Sequence, residues 1–216
     1  MGMPVYRTRI IYKSSDMSYS YSKDLLDVAL SYADYRSGIN ELLSAPPAGE
    51  QEEKMRPYIS NNVQMMDGFD SSYVVSDQLR QALHDASPSI WFVLTEGWCG
   101  DAAYCVPLFA AIEREVPGKV TLCLLYRDQH PALMDAYLTD GARSIPKLIC
   151  LDMELRELVT WGPRPAALHS LVSQWKSEGM QLKQLISKVN DWYLLDDTRS
   201  TQEELAAMIR AYSKEY

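Results

Sequence analysis

Two thiols stand six positions apart in EGWCGDAAYCVP, residues 96–107, and they set the chemical question of this chain. A cysteine at the start of a helix faces unpaired backbone N–H groups and the positive end of the helix dipole, both of which favour thiolate over thiol. Cys99 is placed for this, so its pKa is expected to fall. Asp101 in the first turn suits the same helix end, but its charge opposes a second anion beside it. Exchange between two thiols needs the second sulfur close to the first. Six residues of α-helix rise about 9 Å and turn about 600°, whereas a disulfide needs Cα atoms about 4.4–6.8 Å apart. An intact helix therefore separates Cys99 from Cys105. Gly100 and Pro107 mark the turn as a place that can yield, and unwinding it would expose Val106 and Leu108 at a cost on the order of a few kcal/mol. Cys105 is thus either a resolving thiol reached by unwinding or a core thiol on the buried side of the helix.

The remaining chemistry-bearing residues read more simply. Cys123 and Cys150 lie in apolar runs and are expected in the core, because free cysteine is among the most buried residue types. His84, His130 and His169 share no ligand spacing with the cysteines, so no metal and no cofactor is expected. No Ser-His-Asp pattern is present. The 216 residues carry a formal charge of -8, without the concentrated Lys and Arg that phosphate binding requires, which argues against a nucleic-acid partner. The N-terminal MGMPVYRTRIIYKSSDMSYSYS lacks the apolar run of a secretory signal, and no window is long enough to span a bilayer. A cytoplasmic protein without a membrane partner is expected, its four unevenly spaced cysteines free.

The elements that must position these residues follow from hydrophobic patterning. SIWFVLT (89–95) and VTLCLLY (120–126) are continuous apolar runs of strand length with a helix between them, which implies a parallel pair buried on both faces. A helix from about Pro131 to Thr139, a strand KLICL from Lys147 and another over Leu155–Thr160 follow, the last two joined as a hairpin. Pro163 and Pro165 open a helix AALHSLVSQWKSE that stops at Gly179.

Before this core, a short extended start over Val5–Tyr12 and a loop through Tyr21 lead to a helix over Lys23–Leu43, with an interruption at Gly38. SAPPAGEQEE (44–53) reads as a linker, and further helices are expected near Tyr58–Met66 and Ser76–Asp85. After the core, QLKQLISKVNDWYLL and TQEELAAMIRAYSKEY form a helical cover, the second capped by Ser200 or Thr201 with Glu203 or Glu204 reaching back. The organisation expected is an N-terminal extension over 1–54, strand plus helix, and a domain over 55–216 with its core at 88–178 and a helical extension at 179–216.

The order β, α, β, α, β, β, α together with WCGDA at 98–102, Pro107 eight residues after Cys99, and RSIPKLI at 143–149 resembles the thioredoxin fold. WGPRP after the hairpin and STQEELAAMI near the end look like a bacterial subgroup with a WCGD active-site loop. The likeness covers roughly residues 55–216. It implies an α/β thioredoxin-like fold, a central mixed sheet flanked by helices, with added N-terminal and C-terminal helices. It also implies that Cys99 attacks a disulfide, that Ile145 and Pro146 form a cis-proline loop presenting backbone to a bound chain, and that Trp98, Gly100, Asp101 and Arg143 surround that chain. The partner implied is a protein disulfide or a low-molecular-weight thiol such as glutathione.

The sequence departs from the family pattern at three places. Ala102 stands where the resolving cysteine belongs, Val93 where the buried proton-accepting Asp belongs, and Leu124 where the Lys of the next strand belongs. Glu96 and Thr95 are polar neighbours, but neither matches those positions. Two functions follow: a monothiol redox protein using Cys99, or a binding module that keeps the groove around Trp98 and Pro146 without turnover.

Overall fold

The computed structural model describes residues 19–214; the extended start expected over Val5–Tyr12 lies outside them. Four apolar runs form one mixed sheet: β1 (Ser89–Thr95), β2 (Val120–Tyr126), β3 (Lys147–Leu151) and β4 (Glu157–Trp161), ordered β2-β1-β3-β4. β1 and β2 are parallel, with Val93 beside Leu124, while β3 runs antiparallel to both β1 and β4. Every residue of β1 is buried, as expected of a central strand covered on both faces.

α5 (Gly100–Glu115) connects β1 to β2 and is buried without a break from Asp101 to Ile112. A helix apolar on all sides belongs inside a molecule, and the chain supplies its cover from both ends. α3 (Glu50–Ser72) packs along α5, and α4 (Asp77–Asp85) packs on α9 (Arg199–Tyr212). α6 (Pro131–Asp135), α7 (Ala166–Ser177) and α8 (Leu182–Asp196) complete the described helices with α1 (Lys23–Val28) and α2 (Tyr32–Ser44). No described helix is long and apolar enough to cross a membrane.

Several boundaries differ from the sequence reading, each for an identifiable reason. The expected break at Gly38 falls instead at residues 29–31, because Leu30 leaves the helix to exchange backbone hydrogen bonds with Leu124 at 2.8 and 2.9 Å. Ser31 then caps α2 by accepting from the Asp34 N–H. The linker shrinks to residues 45–49, since α3 begins at Glu50 and continues through Pro57; it also runs through the boundary expected at 54 and 55. Arg56, one residue earlier, donates to the carbonyls of Leu42 and Leu43 and so ties α3 to the end of α2. α9 starts at Arg199, ahead of the expected caps. Asp196 at the end of α8 accepts from the Ser200 N–H at 2.9 Å, and Glu204 is engaged elsewhere: it accepts from Trp161 Nε1 and from the Ala166 N–H, both at 2.7 Å. Glu204, one of the two carboxylates expected to close α9, therefore caps α7.

Candidate thiol site

The site is assembled where β1 ends and α5 begins. Cys99 is the N-cap residue of α5, and its thiol donates to the Ile145 carbonyl at 3.3 Å. The Ile145–Pro146 peptide is cis, so the motif cysteine and the proline loop meet although 46 residues separate the bonded pair. A second cis peptide, Gly162–Pro163, lies against the first. A Cβ on Gly162 would sit 2.3 Å from the Pro146 carbonyl oxygen, and its φ is +106°. Only glycine meets both demands, close approach and a left-handed backbone.

The thiol is covered. Cys99 is 8% exposed, and the N-terminal helices pack on the residues just before it. Asn62 of α3 donates to the Gly97 carbonyl at 2.9 Å, Ile39 of α2 lies against Gly97, and the Tyr35 hydroxyl is 3.3 Å from Thr95 Oγ1. The lowered Cys99 pKa expected from the helix end is therefore not what the structure gives. Burial, followed by the charge of Asp101, pushes the Cys99 thiol up to about 12, against the opposing pull of the Ala102 and Asp101 N–H groups and Arg164. The hydrogen bond to the Ile145 carbonyl acts in the same direction as burial, since it is made by the protonated form.

Asp101, expected to surround a bound chain, is buried and held by three hydrogen bonds. It takes Nε of Arg164 at 3.1 Å and Nη2 on its other oxygen, and the Tyr193 hydroxyl donates to it at 2.8 Å. Burial raises its pKa despite these partners. Arg164 comes from the WGPRP loop and Tyr193 from α8, so the helical cover of the C-terminal extension reaches into the site.

Cys105 is 1% exposed, its sulfur 3.9 Å from the Tyr193 hydroxyl, and burial raises its pKa well above the ordinary thiol value. α5 is continuous from residue 100 past residue 105, so the core-thiol alternative describes this state, and all four cysteines are free. Cys123 and Cys150 are buried in β2 and β3.

The other expected residues scatter along the rim. Trp98 is half-buried, with the Arg127 guanidinium 4.8 Å from its ring centre. Gly100 is exposed. Arg143 donates from Nε and Nη2 to the two oxygens of Asp135, each at 2.7 Å, while its carbonyl accepts from Arg127. Ile145 and Pro146 are buried, which keeps backbone at this loop from open solvent. Val93 and Leu124 are fully buried neighbours, and Glu96 accepts from the Asp128 N–H at 2.9 Å. Among the described residues no group of three or more His, Cys, Asp or Glu is placed to hold a metal ion.

Arg164, Tyr193, Arg127 and Asn62 were not singled out from the sequence. Only Arg164 had a signal, its place in WGPRP.

A family model described as Thioredoxin matches residues 48–176. Two solved structures share the fold. One is a protein of unknown function from Pseudomonas aeruginosa, 16% identical, covering 89% of this chain and 99% of that one with a TM-score of 0.58. The other is an HIV epitope-scaffold, 14% identical, with the same coverage and TM-score. No curated protein matches the chain.

Proposed function

The chain belongs to the thioredoxin family, and from that premise we propose that it is a single-thiol member in which Cys99 exchanges with a partner disulfide and is held protonated at rest. The observation that carries this reading is the 3.3 Å hydrogen bond from Cys99 to the carbonyl beside the cis-proline, made with Ala102 where a second sulfur would stand. In the exchange, the Cys99 sulfur attacks one sulfur of a protein or glutathione disulfide. The new S–S bond forms as the old one breaks, and the Cys99 proton ends on the departing thiol. With no resolving sulfur at hand, an external thiol must release the mixed disulfide. Burial and the Asp101 charge hold the Cys99 thiol well above its ordinary pKa, so little thiolate is present at pH 7 and turnover is slow.

A second reading, a fold kept for binding without turnover, is favoured by the cover over the sulfur and by apolar Val93 and Leu124 in place of proton-handling groups. Alkylation by iodoacetamide across pH 6–11, with mass mapping of adducts formed with oxidised glutathione, separates the two. The single-thiol reading expects slow modification at neutral pH, a rise beyond pH 10, and a glutathione adduct confined to Cys99. A Cys99–Cys105 bond would show that the helix unwinds and that exchange uses two sulfurs. No Cys99 adduct at any pH at which the protein stays folded would leave binding alone.

A further inference from the structure

Asp101 has partners that its sequence context does not announce. It lies in the first turn of α5, two residues after Cys99, and is 8% exposed. Three elements converge on its carboxylate: Arg164 from the loop after β4, the Tyr193 hydroxyl from α8, and, at longer range, the charge of Lys176 in α7. Arg164 also feels the Cys99 sulfur, so it is a half-buried cation within reach of the thiol's field, yet its guanidinium is spent on Asp101. Cys105, Tyr104, Tyr193 and Tyr35 are further titratable groups that sense this corner.

We propose that Asp101, fixed by Arg164 and Tyr193, is the positioning residue that keeps Cys99 a thiol, so that α8 regulates the reactivity of the site. The carboxylate acts twice. Its negative charge opposes a thiolate two residues away, and it occupies the cation that would otherwise stabilise one. Tyr193 holds the arrangement from a helix that buries Leu185, Tyr193 and Asp196 and packs Val189 and Trp192 against the core, while Leu182, Leu194 and Leu195 stand largely in solvent. Tyr193 is secured by stacking on Tyr104, ring centres 4.2 Å apart. α8 contributes no strand to the sheet, so the Tyr193 hydroxyl is the link by which this helix acts on Asp101.

This inference rests on the single-thiol reading, and its test is the pH profile of Cys99 alkylation in full-length Asp101→Asn, Asp101→Glu and Tyr193→Phe proteins, with circular dichroism to verify folding. Asp101→Asn is expected to alkylate at least about tenfold faster at pH 8, because Arg164 becomes available to the thiolate. Tyr193→Phe, which retains the ring stack, is expected to shift the profile the same way by less. Asp101→Glu, which keeps the charge, is expected to stay near wild type. A residue with only a structural role would lower the melting temperature and leave the Cys99 midpoint in place. Folded Asp101→Asn and Tyr193→Phe proteins with the wild-type midpoint would overturn the proposal, and Tyr193→Phe decides alone if Asp101→Asn does not fold. A wild-type Cys99 already fast at pH 7 would instead refute the protonated resting thiol, and the variant profiles would still decide the part played by Asp101.

Discussion

The two proline loops touch through a single glycine, and that contact is open to a direct test. Gly162→Ala would place a methyl group 2.3 Å from the Pro146 carbonyl oxygen on a backbone with φ of +106°, so about 2–4 kcal/mol of stability should be lost, read as a lower urea midpoint. Glu96 offers a pH test. Burial raises its pKa above the ordinary carboxylate value, so the fold prefers the protonated side chain. The stability it contributes is full below the unfolded carboxylate pKa and is lost as pH rises through the raised folded value. Glu96→Gln cannot ionise and keeps an acceptor for the Asp128 N–H, so its stability relative to wild type should grow between pH 4 and pH 7 in paired denaturation curves. At this scale the sequence showed Cys99 and Pro146 through their motifs. It hid Arg164 and Tyr193, whose bonds to Asp101 span 63 and 92 residues. It also hid the packing of the N-terminal helices on Thr95 and Gly97, because nothing local to WCGDA announces Tyr35, Ile39 or Asn62.

Elements were legible to the degree that their patterning was local. SIWFVLT, VTLCLLY and KLICL are strands over the residues expected, since a continuous apolar run bounded by turn formers has few other ways to bury itself. α3 was shortened in the sequence reading because Pro57 and the acidic residues before it imitate a break; contacts with α2 and α5 keep it helical. The start of α9 was misplaced for a related reason. A capping box is a local pattern, while Glu204 is claimed by Trp161 and Ala166 more than 30 residues away. Replacing Glu204 with Ala should therefore injure α7 and β4 rather than α9. It leaves the Trp161 and Ala166 donors unpaired at a cost of about 1–3 kcal/mol, and hydrogen exchange should increase first at the start of α7.

Across the whole molecule, the helices before the sheet belong to the same core as the helices after it. Tyr35, Ile39, Ile59 and Met66 are each at most 4% exposed, and burying a side chain of this size contributes about 1.5–3 kcal/mol. A chain beginning at residue 55 loses Tyr35 and Ile39 and strips the cover from Gly97. It is expected to lack a cooperative thermal transition, whereas the full chain shows one by calorimetry.

The Leu30 bridge carries a last consequence. β2 borders the sheet, and borders of this kind attract foreign backbone. Here the Leu124 amide is already bound by Leu30 and the Leu122 amide by the Glu113 carboxylate, at 2.9 and 2.8 Å. An extended peptide or a sister molecule arriving along that margin finds these donors taken. Strand addition is opposed at these two positions, and an encounter there falls to side chains.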